Sequence, residues 1–295
     1  MCEKHKEVER QVVEFTENVR HVGEESITDY LFWKWADINK CFQHLNFSHY
    51  TKSQESKTSG ADFKMEIWLV GETQSLPLLF QAKKISTEHK GYVSAINYPN
   101  QSKGQITKLL DHANKNKKVP LYIFYSASSL GKVNAFSHKL FKDSGVFIAH
   151  AKNMNKLAPQ KPYAKLSKTK ILSNSIHFHE LFCYPHDVMC KSSDCMNLIV
   201  DRLSDLVGST ENIKNCLVPS ESLPDYVQKL LSNSSTTKDE DYRDVNKTYI
   251  KNRDSVEAYI KSIGYEDDSI SSDNYSKSSN YNLMSTNIAV YDLRL

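Results

Sequence analysis

Hydrophobic and polar positions along the chain follow two different periods, and the switches between them mark out the elements. Val8, Val12, Phe15 and Val19 recur at helical spacing and predict a first helix over about 4–20. Beyond Gly23, the positions Ile27, Tyr30, Leu31 and the Trp33-Lys34-Trp35 stretch predict a second helix reaching about Cys41. Residues 46–52 mix aromatic and polar side chains and read as a short strand. From Ala61 to Val70 the period drops to two, the pattern of a half-buried strand. Gly71-Glu72-Thr73-Gln74 reads as a turn, and Leu76 to Ile85 as the partner strand of a hairpin.

After a long polar stretch to about Lys103, the helical period returns. Ile106, Leu109, Leu110 and Ala113 stand at i, i+3, i+4 and i+7 of an amphipathic helix that opens at Gln105. Leu121 to Tyr125 is a continuous apolar run, the kind that parallel sheets bury on both faces. A helix near 131–142 and a strand at Val146–Ala149 follow. Helix, three strands, helix, strand, helix, strand is the order of an α/β fold with a mixed sheet flanked by helices. Beyond about Leu231 the chain turns rich in Ser, Asn and Asp, and Ile288–Leu293 reads as a last strand that returns to the sheet.

Composition narrows this picture only modestly. With 39% hydrophobic and 25% charged residues in 295 positions, the chain is an ordinary globular one, able to bury a core without disulfides. No apolar run approaches the ~18 residues of a membrane span, and the charged start does not read as a signal peptide, so a cytoplasmic protein with reduced thiols and no membrane partner is expected. The net charge of +3 decides little, but its distribution is uneven. No acidic residue lies between Ser144 and His179, where Lys152, Lys156, Lys161, Lys165, Lys168 and Lys170 fall. Such a stretch suits a polyanion backbone and equally suits a solvated surface. Acidic clusters at Asp239–Asp241 and Glu266–Asp268 mark the opposite bias near the end.

The candidate chemistry sits on the hairpin. By alternation Asp62, Lys64 and Glu66 share one face of its first strand, and Gln81 and Lys83 share one face of its second. A turn centred near Thr73 brings Asp62 to within about a residue or two of Lys83. A carboxylate and an amide oxygen are donors for a hard cation such as Mg²⁺. A neighbouring lysine stabilises charge that develops on a phosphodiester under attack. Glu55 and Glu66 are near enough in sequence to act as reserve ligands, Glu24 can stand in for Glu25, and each residue also has an ordinary structural reading: a turn for Asp62, a helix start for Glu25 and Gln105.

Ser59-Gly60-Ala61-Asp62, a hairpin, and then Gln81-Ala82-Lys83 resemble the PD-(D/E)xK superfamily of restriction-endonuclease-like nucleases, in the variant with glutamine at the (D/E) position. Gly23-Glu24-Glu25 with Thr28, Gln105-Ile106, Leu109-Leu110 and Pro185-His186 extend the resemblance to an uncharacterised bacterial group within it, over roughly 20–195. Asp292-Leu293-Arg294 is an additional match. The resemblance implies an αβββαβ core and a division into an N-terminal helix (1–22), a nuclease domain (23–200) and a C-terminal region (201–295). It implies metal binding by Glu25, Asp62 and Gln81, with Lys83 as the catalytic lysine and Gln105 facing the cleaved strand. Mg²⁺ or Mn²⁺ would be the cofactor, DNA the substrate, and bacterial defence against phage or foreign DNA the setting.

RNA remains open as a target, and a homodimer would supply the two sites that cutting both strands requires. Because a neutral amide is a weaker cation ligand than a carboxylate, a non-cutting module that binds nucleic acid or a partner protein is the alternative. A second group, His177-Phe178-His179 with Cys183, His186, Cys190 and Cys195, contains zinc-binding residue types, so a structural zinc at Cys183, His186, Cys190 and Cys195 is one reading; the spacing is not the paired C-x₂-C of a finger, and buried thiols with ordinary surface histidines explain it as well.

Overall fold

The structure, a computed structural model, describes residues 2–19, 22–42, 45–51, 65–85, 92–93, 96, 99–100, 103–127, 145–158, 165–183, 192–236 and 285–294. Helices α1 (Cys2–Asn18) and α2 (Glu24–Phe42) are followed by strands β1 (Leu45–Thr51), β2 (Met65–Val70) and β3 (Gln74–Lys84). Helix α3 (Gln105–Lys115) leads into β4 (Val119–Tyr125) and β5 (Val146–His150), and α4 (Ala151–Leu157) and α5 (Lys168–Leu172) precede β6 (Ile176–His177). A 3-10 turn at Phe178–Phe182, helices α6 (Ser192–Val207) and α7 (Thr210–Lys214), β7 (Val218–Pro219), a 3-10 turn at Ser220–Ser222, α8 (Asp225–Thr236) and β8 (Ser285–Asp292) follow, and outside the numbered strands Tyr92–Val93 pairs with Leu166–Ser167 and Pro99–Asn100 with Lys103–Gly104 in two small separate sheets. The helix expected near 131–142 and the acidic clusters fall outside the described residues.

The strands form one mixed sheet in the order β1-β8-β2-β3-β4-β5-β6, with β7 paired to β3. β2 and β3 make the expected antiparallel hairpin, in register Met65↔Phe80 through Val70↔Ser75, and the Gly71 N–H donates to the Gln74 carbonyl across the turn. β4 runs parallel to β3, so α3 is the crossover between them, which accounts for the unbroken apolar run of β4. The last strand does return: β8 inserts between β1 and β2, antiparallel to the first and parallel to the second.

Alternation then sorts the side chains into two faces. Met65, Ile67 and Leu69 of β2, Leu78, Phe80 and Ala82 of β3, and Leu121, Ile123 and Tyr125 of β4 pack under α1, α2 and α6. On the other face, Leu79, Tyr122, Phe124 and Phe147 meet α3 and α4. Trp68, Val70, Ile288 and Val290 lie on that same side under Val227 of α8. Both faces are covered, so both parities of β2 are buried where the sequence suggested a half-exposed strand. Among the described residues no helix is long and apolar enough to cross a membrane.

Candidate functional site

The C-terminal ends of the parallel strands β3 and β4 are where this fold gathers polar side chains. Gln81 and Lys83 share the α3 face of β3, as alternation predicted, and Lys84 points to the α2 face. Gln81 is buried, at 5% exposure, beside Tyr122 of β4. Lys83 is half-buried, and its ammonium donates to the Gln105 side-chain oxygen at 3.0 Å. Gln105 is the first residue of α3, and its N-cap Gly104 contributes no side chain to the first turn. The partly positive start of that helix therefore lies beside Lys83, an arrangement that favours anions.

α2 also begins at this end of the sheet. Glu24 accepts from the Lys84 backbone N–H at 3.3 Å, and the Lys84 ammonium donates to the Val22 carbonyl at 3.0 Å. Burial pulls the Lys84 ammonium below the usual lysine range, with Glu24 opposing the shift. The Thr28 hydroxyl donates to the Glu24 carbonyl and lies 2.9 Å from the Tyr125 hydroxyl, which fastens α2 to the end of β4. Glu24 is thus the first-turn carboxylate in contact with β3, whereas Glu25 occupies an exposed position of α2. Asp62 and Glu55 lie outside the described residues.

Glu66, a reserve ligand by sequence, has a different role. Its carboxylate accepts from Trp68 Nε1, from the Tyr226 hydroxyl at 2.6 Å and from the Lys118 ammonium. The ion pair is nearly closed to solvent, at 12% and 8% side-chain exposure, so it ties β2 to α8 and to the start of β4. Asp292 is equally committed: it is buried and accepts from the Arg294 side chain at 2.8 and 2.7 Å, at the hairpin-turn end of the sheet, opposite Lys83.

The basic stretch divides. Lys152, Lys156 and Lys165 are exposed, and Lys161 lies outside the described residues. Lys168 departs from the expectation of a surface contact: it is buried at 6% exposure, and burial lowers its ammonium to about 8. Lys152 also borders a cavity of about 300 Å³ with Lys117, Lys118, His150 and Cys216.

The four-residue zinc set is not realised. Cys183 is disulfide-bonded, which also corrects the expectation that all thiols are reduced, and a disulfide sulfur supplies no thiolate. Cys195 is a buried thiol, and His186 and Cys190 lie outside the described residues. The structure instead groups the two histidines of that stretch with a residue sequence reasoning missed: Glu9, His177 and His179 have ligand atoms that all lie within 4.8 Å of one another. The His-Phe-His spacing was visible, but its partner on α1 is 170 residues away.

A mixed α/β sheet with polar groups collected where parallel strands end, beside two helix starts, is the class of fold that binds ligands at that edge. The chain belongs to a family of unknown function (DUF6615), whose profile matches residues 1–257. No curated protein and no solved structure matches it.

Proposed function

We propose that this chain is a metal-dependent nuclease of the restriction-endonuclease-like kind, acting on DNA in bacterial defence in the cytoplasm. The observation that carries this reading is Lys83 beside Gln81 on one face at the end of β3, with its ammonium held by Gln105 at the start of α3. A phosphodiester at this edge meets the lysine's charge and the helix start together, the two features that stabilise negative charge on a phosphate under attack. Gln105 orients the ammonium, and partial burial of Lys83 strengthens its field by excluding water.

Mg²⁺ and Mn²⁺ take oxygen donors, and the amide oxygen of Gln81 belongs to that class. With it, Asp62 and one of Glu24 and Glu25 would hold the ion, which supplies a polarised water and offsets charge on the phosphate. The exposed lysines Lys152, Lys156 and Lys165 are candidates for backbone contacts. RNA is the alternative substrate, and a homodimer the arrangement that cuts both strands. The second reading, a nuclease-fold module that binds without cutting, is favoured by one observation: the buried residue at the ligand position is the neutral Gln81.

The test is cleavage of plasmid, linear and single-stranded DNA and of RNA with Mg²⁺ or Mn²⁺, comparing wild type with Lys83→Ala and Gln105→Ala. Lys83→Ala is expected to lose cutting by about 100-fold or more while nucleic-acid binding persists. Gln105→Ala is expected to lose less, because the ammonium remains. Binding without any cutting by the wild type would favour the second reading, and neither binding nor cutting would reject both.

A further inference from the structure

We propose that Glu9, His177 and His179 form a binding site for a zinc-class divalent cation at the β6 edge of the sheet. Glu9 is carried on α1 and is 1% exposed. His177 ends β6, where it pairs with Phe147 of β5, and His179 follows two residues later in the 3-10 turn. One ligand atom from each of the three lies within 4.8 Å of the others. A tetrahedral zinc ion with bonds of ~2.0–2.2 Å spans neighbouring ligands by less than that, so small side-chain adjustments close the set.

The donor chemistry selects the ion. Two imidazole nitrogens and one carboxylate oxygen suit Zn²⁺ and its neighbours, and leave a fourth position for water. Mg²⁺ prefers oxygen donors alone and is disfavoured here. The carboxylate is already oriented: one oxygen accepts from the His179 backbone N–H, and the other lies 2.9 Å from His179 Nδ1. The backbone bond orients the carboxylate as an outer-shell partner does, while the Nδ1 contact joins two of the proposed ligands and is one that a bound ion would replace. His5, one turn before Glu9 on the same face of α1, adds a second observation. It is 1% exposed, it stacks on Phe182 at 4.3 Å, and neither of its ring nitrogens has a hydrogen-bond partner among the described residues. A buried imidazole with unused nitrogens stands next to a cluster that already holds the imidazoles of His177 and His179.

The site clasps α1 to the turn after β6 and is separated from Lys83 by β4 and β5, so it is independent of the nuclease reading. The test uses the full chain, stripped with a chelator and dialysed. It is titrated with Zn²⁺ by calorimetry and with Co²⁺ by visible absorption. The expected result is one ion per chain, a tetrahedral cobalt spectrum without a thiolate charge-transfer band, and a higher melting temperature. His177→Ala and His179→Ala should each lose the ion, whereas His186→Ala should keep it. Circular dichroism of the stripped variants separates loss of the ion from loss of the fold, and Glu9→Gln offers a milder variant in which affinity falls and the fold stays. Absence of Zn²⁺ and Co²⁺ binding by the wild type would overturn the proposal. So would binding that survives both histidine substitutions, or that disappears with His186→Ala.

Discussion

Two buried carboxylates in this protein, Glu66 and Glu9, meet the same problem with different partners. A carboxylate taken out of water is costly unless charge and hydrogen bonds replace its hydration. At Glu66 the replacement includes a lysine, the Trp68 indole and the Tyr226 hydroxyl, drawn from β2, the start of β4 and α8. Three donors from different elements converge on this one carboxylate, so the knot is a fixed tie within the fold. At Glu9 the partners are the ring and backbone of His179, with His177 alongside. Imidazole nitrogens can also take a metal ion, so the same burial leaves a group that a cation can occupy. Permanent compensation makes a structural tie, and conditional compensation makes a site.

The comparison is most directly broken by removing each carboxylate in turn. Glu66→Ala strands the Lys118 ammonium at 12% exposure and empties three hydrogen bonds. We expect a loss of roughly 3–5 kcal/mol in urea unfolding. Replacing both partners, as in Glu66→Gln with Lys118→Met, should recover much of it, because the uncompensated charge is gone. Glu9→Gln, measured with a chelator present, should cost less, about 1–3 kcal/mol, since an amide keeps one acceptor for the His179 N–H. If Glu9→Gln proved as damaging as Glu66→Ala, the distinction between tie and site would fail.

Acid sharpens the contrast more gently. His150 is buried at 2% exposure, accepts from the Lys152 N–H at the start of α4, and is lowered to about 4 by burial, helped by Lys152. The folded chain thus keeps His150 neutral down to about 4, while the unfolded chain takes up a proton near 6.5. Stability therefore falls as the pH drops from 6.5 towards 4, by on the order of 1 kcal/mol per unit. His150→Asn, which retains a capping acceptor, should flatten that slope in chemical unfolding at pH 4–7, and an unchanged slope would assign acid sensitivity to other groups.

The architecture was legible wherever one period dominated. α3 was readable from Ile106, Leu109 and Ala113, because those positions do enter the core as spaced. The opposite facing of Lys83 and Lys84 was readable because a strand has only two sides. The depth of β2 was not: its Glu66 face read as the open side of a half-buried strand, and it is covered by α8 together with Val218 and Leu223, which arrive from far along the chain. Lys168 carried the same ambiguity, since a lysine's burial depends on what packs over it. Glu24 and Glu25 were neighbours in the first turn of α2, and the angle at which that helix meets β3 selects the one that touches the sheet.

By itself the sequence determined the first two helices, strands β1 to β5 with α3 among them, the hairpin with its Thr73-centred turn, and the shared face of Gln81 and Lys83, because these follow from local periods and turn chemistry. Tertiary structure alone decided that β8 fills the sheet between β1 and β2, that Gln105 holds Lys83, and that Glu9 meets His177 and His179. Those pairings join residues from 22 to more than 200 positions apart. No local pattern encodes such a contact; it forms because burying both faces of one sheet leaves the connecting segments few places to pack.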